Sequence, residues 1–295
     1  MLLINDPSDA PAGPKVVAIG SFDGLHLGHQ HLIRSAQAEA RSRHIPLLVY
    51  TFDPPSKVFM KGEGFLTDLT EKLEVLRGLG VEIALIVPFN EAFSRRSKDD
   101  FLNDLLTLEA QHLYVGEDFR FGQGRSGGLE DLNAVAPTHI LPLLELNGGA
   151  VKSSRIRDLL RKGEVDEARL LLGRAYLARG IVQEGDKLGR RLGFPTANIE
   201  VAHLKILPMG VFAVWVQTPQ GRFAGMANVG YRPTVSGQTL RFEVHLFGFV
   251  GDLYGQELSV EFLTKLRGEM KFDSLQGLQA QLAKDAEAAR KVLGI

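Results

Sequence analysis

Residues 16–29 read Val-Val-Ala-Ile-Gly-Ser-Phe-Asp-Gly-Leu-His-Leu-Gly-His. An uninterrupted apolar run suits a strand covered on both faces, as in a parallel sheet. The run breaks at Gly20, and a helical pattern follows from about 28 to 43. A strand-to-helix turn at the carboxyl edge of a parallel sheet is where such folds bind ligands. The helix start offers unpaired N–H groups and the positive end of its dipole to a phosphate. Gly24 and Gly28 let backbone and ligand approach closely. His26 and His29 can lie on one face of the turn and donate hydrogen bonds to phosphoryl oxygens as charge builds.

Working outward, Leu47–Phe52, Ile83–Val87, Leu113–Val115 and Ile140–Leu143 repeat the apolar run, with helical patterns near 69–79 and 98–108 between them. Ser97 and Asp100 have capping-box spacing. This alternation predicts a doubly wound, Rossmann-like α/β domain with a parallel sheet. Two helices follow, one capped by Ser154 and running to about Leu160, the other from Glu164 to Leu172, ending at Gly173. We place them with the first domain, which then spans 1–172.

Beyond Gly173 the period changes to two. Leu240, Phe242, Val244 and Leu246 alternate with Arg241, Glu243, His245 and Phe247, and Leu258, Val260 and Phe262 alternate with polar neighbours. Residues 173–295 therefore read as an antiparallel β-barrel closed by an amphipathic C-terminal helix, with Leu275, Leu278, Leu282 and Ala286 as its apolar stripe.

Composition narrows the chemistry. The 295 residues carry 34 Lys+Arg against 35 Asp+Glu, a formal net charge of -1. That argues against a dedicated nucleic-acid partner, while small anions need only local positive groups. With no cysteine, thiol nucleophiles, Cys-ligated zinc and iron–sulfur clusters are excluded. No apolar run is long enough to span a bilayer, and the acidic, Pro-rich start lacks secretory-signal order. The expected compartment is the cytoplasm, with no membrane partner.

A second motif opens the β domain: Gly185-Asp186-Lys187-Leu188-Gly189-Arg190-Arg191-Leu192-Gly193-Phe194-Pro195-Thr196-Ala197-Asn198. There is no Walker-type loop, so another Gly-rich loop must serve any nucleotide. Gly185, Gly189 and Gly193 supply backbone freedom, Lys187 and Arg190 positive charge. Thr196 and Asn198, two apart on extended chain, point to one side and offer hard oxygen ligands for Mg²⁺. Ser153, Ser154, Arg155 and Arg157, at a helix start, suit a triphosphate, and Asp118 in a Gly-bounded loop could hold the nucleotide or help place Mg²⁺.

The first motif resembles the HxGH signature of nucleotidyltransferases, and its Phe-Asp-Gly form resembles the prokaryotic FMN adenylyltransferase module. Thr51–Pro54, Val115–Gly122 and Ser153–Arg157 match that module too, with Lys152 standing where the family has a small polar residue. The string from Gly189 to Asn198 closely resembles the riboflavin kinase module. Pro208–Ala213, the segment from Asn228 to Thr234 (read as a family loop), Glu243–Leu246, Asp252–Gly255 and Leu266–Phe272 extend the match.

The resemblance implies a bifunctional enzyme. Riboflavin and ATP would give FMN in the barrel, and FMN and ATP would give FAD and pyrophosphate in the α/β domain, with Mg²⁺ accompanying ATP. It implies catalytic roles for Glu243 (accepting the proton of a primary hydroxyl), His26, His29 and Arg157. It implies nucleotide contacts at Gly20, Phe22, Asp23, Gly24, Gly28 and Asp118, and flavin contacts at Phe52, Phe119, Asn228 and Arg267. His245 shares a face with Glu243 and receives no role. A second reading keeps only the kinase active beside a nucleotide-binding scaffold, against which the intact histidine pair argues. A third is a flavin sensor without turnover.

Overall fold

The computed structural model describes residues 1–185, 188–234 and 237–295, which form two compact units, Met1–Ser153 and Ser154–Ile295. The helical pair over 153–172 thus counts almost wholly with the second unit by contacts.

The first unit is built on β1 (Leu2–Ile4), β2 (Lys15–Ile19), β3 (Leu47–Asp53), β4 (Ile83–Pro88), β5 (Ala110–Gly116) and β6 (Thr138–Leu141). They form one sheet in the order β1-β4-β3-β2-β5-β6, parallel throughout. A small antiparallel pair, β7 (Glu145–Leu146) and β8 (Gly149–Ala150), follows. The helices are α1 (Leu27–Arg43), α2 (Ser56–Lys61), α3 (Leu69–Gly78), α4 (Glu91–Ser94), α5 (Lys98–Thr107) and α6 (Leu129–Val135).

The expected continuous apolar runs have a direct physical basis. Val17, Ile19, Leu48, Tyr50 and Phe52 enter one core cluster, and their neighbours Val16, Ala18, Leu47 and Val49 the other. β2 and β3 each bury both alternating faces, so no polar face is left to show. The Ser97–Asp100 capping box forms as predicted. The last strand falls at Thr138–Leu141 rather than Ile140–Leu143; at the sheet edge it is only half covered, so apolarity alone marks it poorly. Leu2–Ile4 joins the opposite edge beside β4, within a start that reads on composition as mere Pro-rich chain.

β2 connects to its neighbour β3 on one side, whereas β5 lies on the other. The strand order therefore reverses between β2 and β5, the position at which open α/β sheets form a ligand crevice. The turn 20–26, the end of β3 and the start of 116–122 all stand at that carboxyl edge.

α7 (Ser153–Arg161), of which all but the first residue belongs to the second unit, is followed there by α8 (Val165–Leu172), stopped by left-handed Gly173. The first of these helices starts at Ser153, one residue before the expected cap. Asp166 of α8 accepts a hydrogen bond from Thr264 Oγ1 at 3.1 Å. Then come β9 (Tyr176–Gln183), α9 (Leu188–Arg191), β10 (Ala197–Val201), β11 (Gly210–Thr218), β12 (Gly221–Thr234), β13 (Gly237–Leu246), β14 (Glu257–Arg267) and α10 (Leu275–Leu293).

The six strands close into an antiparallel barrel. Phe212, Phe242 and Phe262 pack together, and with Val214, Val229, Val244 and Val260 they are buried. Asn228, read as the start of a loop, lies inside β12. Ala286 and Ala289 of α10 cover Ala213 and Met226, with Leu282 and Leu293 alongside. Leu275, expected in the stripe, is 54% exposed, because the contact uses the helix's C-terminal half.

Candidate active sites

In the first unit, His26 is the N-cap of α1, its Nδ1 accepting from the His29 backbone N–H at 3.4 Å. Because Nδ1 accepts, the neutral ring carries its proton on Nε2, the donor a phosphoryl oxygen needs. The two imidazoles stack with centroids 3.6 Å apart, and Phe22 meets His29 edge-on at 5.3 Å. Gly28 makes room for this arrangement: a Cβ there would press on the His26 ring at 3.3 Å. Gly24 has φ 82°, a conformation that favours glycine.

Asp23 is 3% exposed, and its Oδ1 accepts from the backbone of Leu66 (2.9 Å) and Thr67 (3.2 Å). Gly24 N–H donates to Thr67 Oγ1 at 3.1 Å. The carboxylate is thus engaged in clasping the turn to the segment before α3. Ser153 Oγ donates to the Asp23 carbonyl at 2.9 Å, so Ser153 itself meets the histidine turn. Gly20 lies beneath the Phe22 ring. Asp118 is exposed just beyond β5. Lys152 and Ser154 are exposed, Arg155 half-buried, and Arg157 buried within α7.

Phe52 is buried among Tyr50, Phe89 and Phe93, while Phe119 packs against Phe101 and Phe121. Both are largely core residues. At the same edge Phe59 of α2, against Phe89, is 42% exposed.

Lys72 carried no signal in the sequence. Fully buried in α3, it donates to the Ser21 carbonyl (3.1 Å) and the Phe52 carbonyl (2.7 Å), joining the turn to the end of β3. Burial pushes its ammonium down to about 8, against the pull of Asp23 and Asp53. The folded protein therefore binds fewer protons than the unfolded chain from about pH 8 to 10.5, and stability contributed by this group rises with pH across that window. We expect a gain of up to about 3 kcal/mol, read as a rise in the first unit's unfolding free energy. The rise should be missing from Lys72→Met; equal pH slopes in the two proteins would refute the assignment.

In the second unit, strand register gathers the candidates. Asn198 pairs with Glu243, Glu243 with Asn228, Asn228 with Val211, and Val211 with Arg267. Cross-strand partners share a face with Cβ atoms roughly 5 Å apart. Since Phe242 and Val244 point inward, this row runs over the outer face. Asn198 Oδ1 is buried and, among the described residues, has no hydrogen-bond partner. A side chain at Gly185 would collide with the Asn198 amide, so glycine there admits the asparagine.

A cleft lined by Arg190, Thr196, Leu246, Phe249, Asp252 and Tyr254 among others reaches Ala197, the residue before Asn198. Gly189 lies close beneath Phe194 and Thr196, and Gly193 has φ 86°. Lys187 lies outside the described residues. Arg267 stands on the row, but its guanidinium is committed: Nε and Nη2 donate to Asp285 of α10 at 2.8–3.0 Å, and Nη1 to the Gly268 carbonyl. Asp285, which sequence reasoning missed, is 3% exposed.

Comparison with known proteins converges on both units. A family model described as FAD synthetase matches residues 9–155, and one described as riboflavin kinase matches 172–293. The bifunctional riboflavin kinase/FMN adenylyltransferase of Escherichia coli K12 is 37% identical over 99% of this chain and 97% of its own. That of Bacillus subtilis is 36% identical over 93% and 91%. A crystal structure from Streptococcus pneumoniae described as a macrolide-efflux protein superposes with a TM-score of 0.88, at 32% identity and 98% coverage of each chain. No helix among the described residues of the present chain is long and apolar enough to cross a membrane. With an α/β unit carrying the paired-histidine turn, a barrel carrying the Asn198–Glu243 row, and relatives matched from end to end, the chain belongs to the bifunctional riboflavin kinase/FMN adenylyltransferase family.

Proposed function

We propose that the outer row of the barrel performs phosphoryl transfer to riboflavin and that the carboxyl edge of the sheet performs adenylyl transfer to FMN. In the first reaction Glu243 takes the proton of the flavin's primary hydroxyl as that oxygen attacks the γ-phosphorus and ADP leaves. ATP occupies the cleft, with Arg190 beside its phosphates. Thr196 and Asn198 would hold Mg²⁺; the orphaned, buried Oδ1 of Asn198 fits a hard cation. When bound, the ion neutralises charge on the polyphosphate. Asn228, one strand beyond Glu243, faces the flavin. Arg267 acts at one remove, holding α10 through Asp285.

In the second reaction an FMN phosphate oxygen attacks the α-phosphorus of ATP and pyrophosphate leaves. The nucleophile is already ionised, so alignment of two polyanions is the main task. His26, His29 and the start of α1 donate to the phosphates. Ser153 braces the turn through its hydrogen bond to the Asp23 carbonyl. The cytoplasm, where free nucleotides abound, is the compartment we assign.

The juxtaposition of Asn198, Glu243 and Asn228 in one row beside the Thr196 cleft carries this reading of the kinase. Asn198→Ala should lower FMN formation at least a hundredfold and raise the Mg²⁺ concentration needed for half-maximal rate. FAD formation from supplied FMN should be unchanged. An unaltered Mg²⁺ titration would remove Asn198 from the metal site.

A further inference from the structure

His245 lies on the outer face of β13, two residues beyond Glu243, and the site as described leaves it without work. Its Nδ1 is 2.7 Å from the Pro195 carbonyl oxygen. A carbonyl only accepts, so Nδ1 carries the proton and donates. The ring makes T-shaped contacts with Phe194 (5.4 Å, 73°) and with Phe247 (5.5 Å, 77°). Phe194 packs into the cluster under α10, and Arg290 of α10 caps the Phe247 ring at 4.3 Å. The imidazole therefore packs against two rings with its Nδ1 proton aimed at the loop. Burial, and secondarily the Arg290 charge, hold its pKa below the usual histidine range, although the Pro195 bond works the other way.

Pro195 immediately precedes Thr196, and two residues separate it from Asn198. Proline has no N–H of its own to donate, and Thr196, Ala197 and Pro195 together form one wall of the cleft. Strand pairing fixes the chain only from Ala197 onward, where it faces Val244. Immediately upstream, the loop is tied across to β13 by the His245 bond.

We propose that His245 is a positioning residue for riboflavin phosphorylation: its Nδ1–H holds the Pro195 carbonyl and thereby sets where Thr196 and Asn198 meet the nucleotide. The inference rests on the assignment of Thr196 and Asn198 to ATP and its metal. It touches neither flavin nor the reacting atoms, so its signature is selective. The apparent affinity for ATP should fall while that for riboflavin is unaffected.

Two substitutions separate the hydrogen bond from the packing. His245→Phe keeps a ring against Phe194 and Phe247 but deletes the donor, whereas His245→Asn returns an amide N–H near the place of Nδ1. With full-length protein, riboflavin, MgATP and chromatographic separation of FMN, the Phe variant should show KM for ATP raised about tenfold, the scale of one lost hydrogen bond. KM for riboflavin and the rate of FAD formation from FMN should stay native. The Asn variant should recover KM for ATP to within about threefold. A Phe variant with native KM for ATP, or an Asn variant no better than Phe, overturns the proposal in favour of a packing role. Lower Vmax with both KM values native does the same, since it reports only less folded enzyme. Asn198→Ala assayed in parallel tests the underlying assignment by itself. If it leaves the kinase intact, the metal-site reading has failed; if it is crippled while His245→Phe is native, only the present inference has.

Discussion

Glu243→Gln will abolish conversion of riboflavin to FMN while FAD still forms from supplied FMN. The amide is nearly isosteric and keeps a hydrogen-bonding oxygen, but it cannot accept the hydroxyl proton at neutral pH. Loss of a positioned general base costs about 10²–10⁴ in rate. The side chain is half-buried on the outer face between Asn198 and Asn228, and the inward residues Phe242 and Val244 that stabilise β13 are untouched. Folding should therefore survive, which circular dichroism and the retained FAD activity would both report. A variant with more than a tenth of native kinase activity would mean that the proton goes elsewhere.

His29→Ala should give the mirror result: riboflavin kinase intact, FAD formation down by about 10²–10³, the usual effect of deleting one donor to developing transition-state charge. The His29 backbone N–H, which His26 caps, survives the change, so the start of α1 keeps that bond. What is lost is the imidazole stacked on His26 and edged by Phe22. Measuring both activities on the same preparation controls for misfolding. If the substitution silenced both reactions in folded protein, or neither, the assignment of one reaction to each unit would be wrong.

Much of this architecture was legible because it is written in short-range patterns. The doubly apolar strands of the sheet, the period-two strands of the barrel and the capped helices each need only their own residues and the covering they expect. Both chemical motifs were legible for the same reason, being contiguous strings at element ends. What could not be read is what the chain closes over distance. Asp23 looks like a phosphate-site carboxylate until the backbone N–H groups of Leu66 and Thr67 are seen on it. Lys72 carries no signal in the sequence, yet it binds two carbonyls from other segments. Arg267 and Asp285 find each other only because α10 returns to the barrel, and His245 finds Pro195 across 50 positions. Edge strands were misjudged for a different reason: half-covered and short, they carry too few side chains to establish a period.

The closed barrel has an implication for how this enzyme can change. Its interior is filled by phenylalanines and valines, and the groups proposed to react occupy the alternate, outward positions. On the proposed roles, neighbouring residues along β13 answer to different selective pressures, endurance at 242 and 244, turnover at 243 and 245. Specificity can drift on such a surface with little loss of thermal resistance, and a deep mutational scan scored separately for melting and for FMN yield should resolve into two interleaved combs, one residue out of phase.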